Sequence, residues 1–184
     1  MGNIFKQYRK IVLFLLVVLI FIIVFFFFKS PNYEKPISIH ISHNNILFDN
    51  SLPISDSLGK EMVYSKKNKN IQGFSEITVN NPNKDKISFY IVITKDDNSK
   101  ISDNYIKMYL TDKNNNPIEG YDESLIPTFY DLKDYNKDSK RKILYKGVLN
   151  KEEERSFILR SWISDSYAIS NQIEECSFKI EVII

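Results

Sequence analysis

The sequence predicts an all-β protein: an Ig-like or jelly-roll antiparallel β-sandwich ectodomain preceded by one N-terminal transmembrane helix. Three observations predict it. Residues 11–28 read IVLFLLVVLIFIIVFFFF, without a polar side chain. The 184-residue chain contains a single alanine, Ala168, against 13 Phe and 11 Tyr. Alanine is the best helix former, whereas aromatic and β-branched residues favour strands. After residue 29, apolar and polar residues alternate at period two, in runs broken by clusters of Asn, Asp and Pro.

Residues 1–10 form a basic flank. Lys6, Arg9 and Lys10 precede the apolar run and no acid does. Cytoplasmic flanks carry the excess of Lys and Arg, so these three set the orientation in the cell membrane: N-terminus in the cytoplasm, C-terminal domain outside. The run at 11–28 is roughly 27 Å long as a helix, close to the hydrocarbon thickness of a bilayer. It is longer than a secretory h-region and ends in consecutive Phe residues, without a small-residue cleavage site. A signal anchor inserted in the lipid bilayer is therefore expected. It holds no Gly-x-x-x-Gly and no charge, so it reads as an anchor and not as a transport element. Residues 29–35 then read as a stalk, and 36–184 as the extracellular β-sandwich domain.

Within that domain, residues 86–94 (KISFYIVIT) place Ile87, Phe89, Ile91 and Ile93 on one face and Ser88, Tyr90, Val92 and Thr94 on the other. Residues 177–184 set Phe178, Ile180, Val182 and Ile184 opposite Lys179 and Glu181. Residues 105–111 alternate Ile106, Met108 and Leu110 with Tyr105, Lys107 and Tyr109. Residues 156–163 oppose Phe157, Leu159 and Ile163 to Arg160. Residues 37–41, 71–79 and 143–149 complete a set of about seven strands. Asn80-Asn81-Pro82-Asn83, Asp96-Asp97-Asn98-Ser99 and Asn114-Asn115-Asn116-Pro117 read as turns, because Asn tolerates positive φ and Pro fixes φ. Residues 119–142 break the rhythm and read as one long, charged, aromatic loop. Such loops are more often functional than inert.

Charge excludes some functions. Taking the three flank cations from the 25 Lys and Arg leaves one fewer than the 23 Asp and Glu. The domain thus has no overall basic bias, and nucleic-acid binding is not expected. Cys176, the single cysteine, stands beside Glu174 and Glu175, which disfavour a thiolate. With 2 His and 5 Gly, the chain offers neither a paired nucleophile and base nor a phosphate-cradling loop. No enzyme activity and no cofactor are expected.

Three clusters are candidate sites. His40 and His43 are three residues apart, which puts them on opposite faces of a strand; they can share a metal only from a turn. Asp131, Asp134, Asn136 and Asp138 supply the clustered oxygens of a weak calcium site, and Asp134-x-Asn136-x-Asp138 follows the start of an EF-hand loop. The pattern then departs: Ser139 stands in place of the glycine and Tyr145 in place of the bidentate Glu. Tyr121, Phe129, Tyr130 and Tyr135 are candidate exposed anchors for a protein or glycan partner.

The segments GFSEITVNNPNKDKISFYIVI, ILYKGVLNKEEERSFILRSWISDS and the closing SFKIEVI give a layout that resembles bacterial exported β-sandwich surface proteins of the TasA/camelysin type. The resemblance covers roughly residues 73–182 and rests on strand and turn patterns. It implies a surface or matrix protein, often a filament subunit. The cleavage site that such subunits carry after the export segment has no counterpart here. Nor is there an HExxH, so no protease activity is carried over.

These readings converge on a membrane-anchored surface protein with a structural, adhesive or partner-binding role, including self-association. The first alternative is a secreted extracellular-matrix fibre subunit with a cleaved export segment. The second is a metal-dependent hydrolase, which needs an activating carboxylate that the histidines lack nearby.

Overall fold

The computed structural model of the chain describes residues 2–28, 34–48, 51–62, 73–119, 121, 124–168 and 175–184. It divides into two compact units, Met1–Lys35 and Pro36–Ile184.

The first unit is built on α1 (Gly2–Phe28). Its side chains are described at Tyr8, Arg9 and residues 12–24. The apolar ones stand exposed, Phe14 and Phe21 at 68% and 72%. Among the described residues no helix is long and apolar enough to cross a membrane. Of the apolar run read at 11–28, side chains are described at residues 12–24. The side chains of Lys6 and Lys10 and stalk residues 29–33 lie outside the described residues.

Among its described residues the second unit holds nine strands: β1 (Ser38–Ile41), β2 (Asn45–Phe48), β3 (Phe74–Asn81), β4 (Ile87–Lys95), β5 (Ile106–Asp112), β6 (Asp134–Tyr135), β7 (Asp138–Leu149), β8 (Glu153–Ile163) and β9 (Cys176–Ile183). A short helix, α2 (Asp56–Lys60), lies between β2 and β3. The strands form two antiparallel sheets, ordered β1-β3-β8-β5 and β2-β9-β4-β7-β6. Only β6 and β7 are consecutive strands within one sheet; every other connection crosses between the sheets. The two inner faces share one core, so the unit is a β-sandwich.

Period two places that core. Ile77 and Val79 of β3, Met108 and Leu110 of β5, and Phe157 and Leu159 of β8 face Phe89, Ile91 and Ile93 of β4 and Phe178 and Ile180 of β9, all essentially buried. Phe157 bridges the sheets, with ring centroids 6.0 Å from Phe89 and 5.0 Å from Tyr145. Fully burying each such ring contributes about 1.5–3 kcal/mol. Gly147 makes room for them: a Cβ there would lie 2.5 Å from Tyr145 and 2.9 Å from Phe89.

Loops close the edges. Residues 116–118 and 127–129 lie along the free side of β5, with Met108 N donating to Pro127 O at 2.9 Å and Phe129 N to Ile106 O at 2.7 Å. The buried Asn81 amide donates to the carbonyls of Asp85 and Asn150, tying the β3–β4 and β7–β8 connections together. On the outer side of β8, α2 seats Trp162, whose Nε1 donates to Asp56 at 3.2 Å.

The structure corrects several expectations. The 119–142 loop ends early: its last third is the β6–β7 hairpin, turned by Asn136 and Lys137, both at positive φ (53° and 63°). Arg160 does not point into solvent. It is 2% exposed and donates to Met62 O, Thr111 Oγ1 and the Asn115 side-chain oxygen. Trp162 is buried with it. Val92 lies on the outward face yet is fully buried. Its register neighbours are Ile143 of β7 and Glu181 of β9, and the Arg141–Glu181 ion pair spans β4 between the levels of Thr94 and Val92. Residues 71–72 of one expected strand lie outside the described residues.

Candidate functional site

The outward face of the five-stranded sheet aligns a group of partly or fully exposed aromatic and charged side chains. Register builds it. Tyr90 of β4 is flanked by Lys146 of β7 and Ile183 of β9, and Thr94 by Arg141 and Lys179. Tyr90 and Thr94 on β4, and Ile183 and Lys179 on β9, share a face at even offsets, and a β-bulge opposite Ile91 and Val92 brings Lys146 and Arg141, five residues apart on β7, to that same face.

Ring and cation contacts hold the group in place. Tyr135 of β6 stacks edge-on against Tyr90, centroids 5.8 Å apart at 66°. The Arg141 guanidinium lies over the Tyr135 ring at 4.9 Å, and the Lys146 ammonium over the Tyr90 ring at 5.4 Å. Such contacts contribute about 0.5–1 kcal/mol at exposed sites. Glu181 accepts from Lys179 at 2.7 Å and from Arg141 at 3.2 Å. The Lys179 hydrogen bond, reinforced by the charges of Lys179 and Arg141, holds its carboxyl below the usual range. Glu181 is therefore ionised at neutral pH, and Arg141, Lys146 and Lys179 still outnumber it.

Toward β2 the same face opens into a cleft of about 490 Å³, lined by Asn45, Leu47, Thr94, Asp96, Ser177 and Lys179 among others. The Thr94 hydroxyl beside it is buried and makes no hydrogen bond.

The residues singled out in the sequence divide. Tyr135 belongs to this face, half-buried. Tyr130 is 65% exposed but lies in the loop before β6. Tyr121 and Phe129 are not exposed anchors. Tyr121 is buried and donates its hydroxyl to Leu144 O at 2.8 Å, and burial pushes that phenol's pKa up. Phe129 is 0% exposed and packs on Phe178 at 5.2 Å. Both are held inward because the loop that carries them covers β5.

The four calcium candidates are not brought together. The Asp131 carboxylate accepts from the Thr128 amide at 2.8 Å and hydroxyl at 2.7 Å, which holds it below its usual range. Asp134 pairs with Lys142 at 2.6 Å. Asn136 sits in the hairpin turn, and Asp138 accepts from the Lys140 amide at 3.0 Å. Among the described residues no three His, Cys, Asp or Glu converge as metal ligands. His40 is exposed on β1 opposite Thr78, and His43 lies in the turn to β2, its Nδ1 3.2 Å from Ser42 Oγ. Cys176 is buried at the start of β9, and burial pushes its thiol up to about 11.

Sequence reasoning left Tyr90, Arg141, Lys146, Lys179 and Glu181 out of any site. Alternation already turned Tyr90, Lys179 and Glu181 away from the core. What alternation lacks is strand order, which sets β7 and β9 on either side of β4.

No protein-family model matches the chain, and no curated protein matches it. Among solved structures, a family 35 carbohydrate binding module from Clostridium thermocellum is similar at 11% identity, over 78% of this chain and 98% of that one, with a TM-score of 0.24. A likeness at that score carries no argument about this chain.

Proposed function

We propose that the protein is a single-pass, membrane-anchored cell-surface β-sandwich of jelly-roll connectivity that binds a partner through the outward face of its five-stranded sheet. It acts as a structural, adhesive or binding module and not as an enzyme. The observation that carries this reading is the preorganised group on that face. Tyr90, Tyr135 and Arg141, each half-buried, and the exposed Lys146 brace one another on that face. Side chains already fixed lose little entropy when a partner arrives. The anchor is supported by the uninterrupted apolar run at 11–28, the cationic flank before it and the exposure of its described side chains. The layout shared with TasA/camelysin-type surface proteins points to the same compartment.

Site-specific photo-crosslinking in the native cells tests the face. A photoreactive residue in place of Lys146 is expected to give an adduct on irradiation. The same residue in place of Glu76, exposed on β3 of the other sheet, is expected to give none. Adducts at 76 and none at 146 would assign binding to the opposite sheet.

A further inference from the structure

We infer that the partner is a carboxylate-bearing anionic polysaccharide, lying across the outward face of the five-stranded sheet. This rests on the reading of that face as the binding surface. Charge complementarity is the first argument. By register the face presents Arg141, Lys146 and Lys179 against Glu181 and, in the cleft toward β2, Asp96, although the whole domain has no basic bias. The cations are therefore gathered here and not merely abundant. Two of them rest on tyrosine rings, and Lys179 and Arg141 are also steadied by Glu181. Fixed cations of this kind suit a ligand with repeated carboxylates.

Ring chemistry is the second argument. Tyr90 and Tyr135, both partly exposed, meet edge-on, each with a cation over its ring. An amphipathic ring of that kind matches a sugar, with its C–H faces and hydroxyl rim. The third argument is breadth. Lys179 and Arg141 stand two strands apart, roughly 10 Å at the backbone, and Tyr90 with Lys146 lies four residues further along β4. The anchor points thus spread over a flat area wide enough for several sugar units. An extended polypeptide would more naturally add to a sheet edge, and the edges here are β6, two residues long, and β2, four.

The test uses full-length protein in detergent micelles, titrated with polygalacturonate, neutral dextran and poly-L-glutamate. Polygalacturonate is expected to bind, less tightly as salt rises from about 0.05 to about 0.5 M, and dextran is expected not to bind. Lys146→Glu and Tyr135→Ala are each expected to weaken binding about tenfold, and Lys151→Glu, exposed in the β7–β8 turn, to leave it unchanged. Melting curves verify that each variant is folded; Arg141→Lys, which keeps the charge, serves where Tyr135→Ala does not fold. Equal binding of poly-L-glutamate overturns the inference in favour of an acidic polypeptide. Equal binding of dextran overturns the role of charge. Failure of polygalacturonate to bind, with crosslinking at 146 intact, overturns the ligand class alone. Polygalacturonate binding that survives both Lys146→Glu and Tyr135→Ala overturns the face itself.

Discussion

Arg160 shows how a single residue changes meaning between sequence and structure. Alternation sets it opposite Phe157 and Leu159, where a charged residue belongs in water. In the fold, Met62 O, Thr111 Oγ1 and the Asn115 oxygen, at 2.7, 3.1 and 2.5 Å, take its hydrogen bonds, and Phe74 lies 5.8 Å beneath it. Burial pulls its pKa down, against the raising effect of Tyr109. Its job is to bind the α2 segment and the β5 turn to the sheet. Arg160→Ala leaves three acceptors unpaired and a void, so a loss of roughly 3 kcal/mol in a denaturant titration is expected. Acid sensitivity belongs to this scale too. Asp112, Asp131, Glu153 and Glu181 all have carboxyls held below their ordinary values by hydrogen bonds. Depressed carboxylates favour the folded state above the unfolded pKa, and the contribution fades as pH falls through the folded one. The melting temperature should therefore hold steady from neutral pH down to about 5 and fall below about 4. A curve flat to pH 2 would contradict these assignments.

At the scale of elements, legibility tracks burial. β4, β5 and β9 alternate cleanly because one face of each is core, and their limits fall within a residue or two of those read from the sequence. β7 was legible only from Ile143 onward. Its first residues, DSKRK, form a hairpin with β6 in which both faces are largely wet, so no apolar alternation marks them. Its turn was hidden by a resemblance to a calcium loop: Asp and Asn favour both. Asn136 and Lys137 occupy consecutive positive-φ positions, as in a type I′ turn, with Tyr135 paired to Asp138. Lysine is strained there and glycine is not. Lys137→Gly is expected to raise stability by about 0.5–1 kcal/mol, read from the shift in denaturation midpoint. A destabilised variant would mean that the Lys137 side chain makes contacts worth more than the backbone strain. The proposed binding face was half legible for the same reason. Outward residues were identified strand by strand, but Tyr121 and Phe129 drew attention to a loop whose aromatic residues serve the core.

For the whole molecule, the connections decide what composition cannot. The sequence announces strands and their faces. It does not announce that all but one connection crosses between sheets, and that crossing is what places β4 between β7 and β9 and assembles the cationic, aromatic face. The proposed anchor, by contrast, rests on the sequence alone: a run of eighteen apolar residues behind three cations needs no tertiary information. The proposed binding module at the cell surface joins both parts, and its location can be tested without knowing the ligand. The direct measurement is the intact mass of the natural protein in the membrane and medium fractions, with external protease added to intact cells in parallel. The account predicts full-length protein confined to the membrane fraction and a domain that external protease removes. A mass lacking about the first 28 residues, found in the medium in high-mass assemblies, would contradict it and establish a secreted fibre subunit instead.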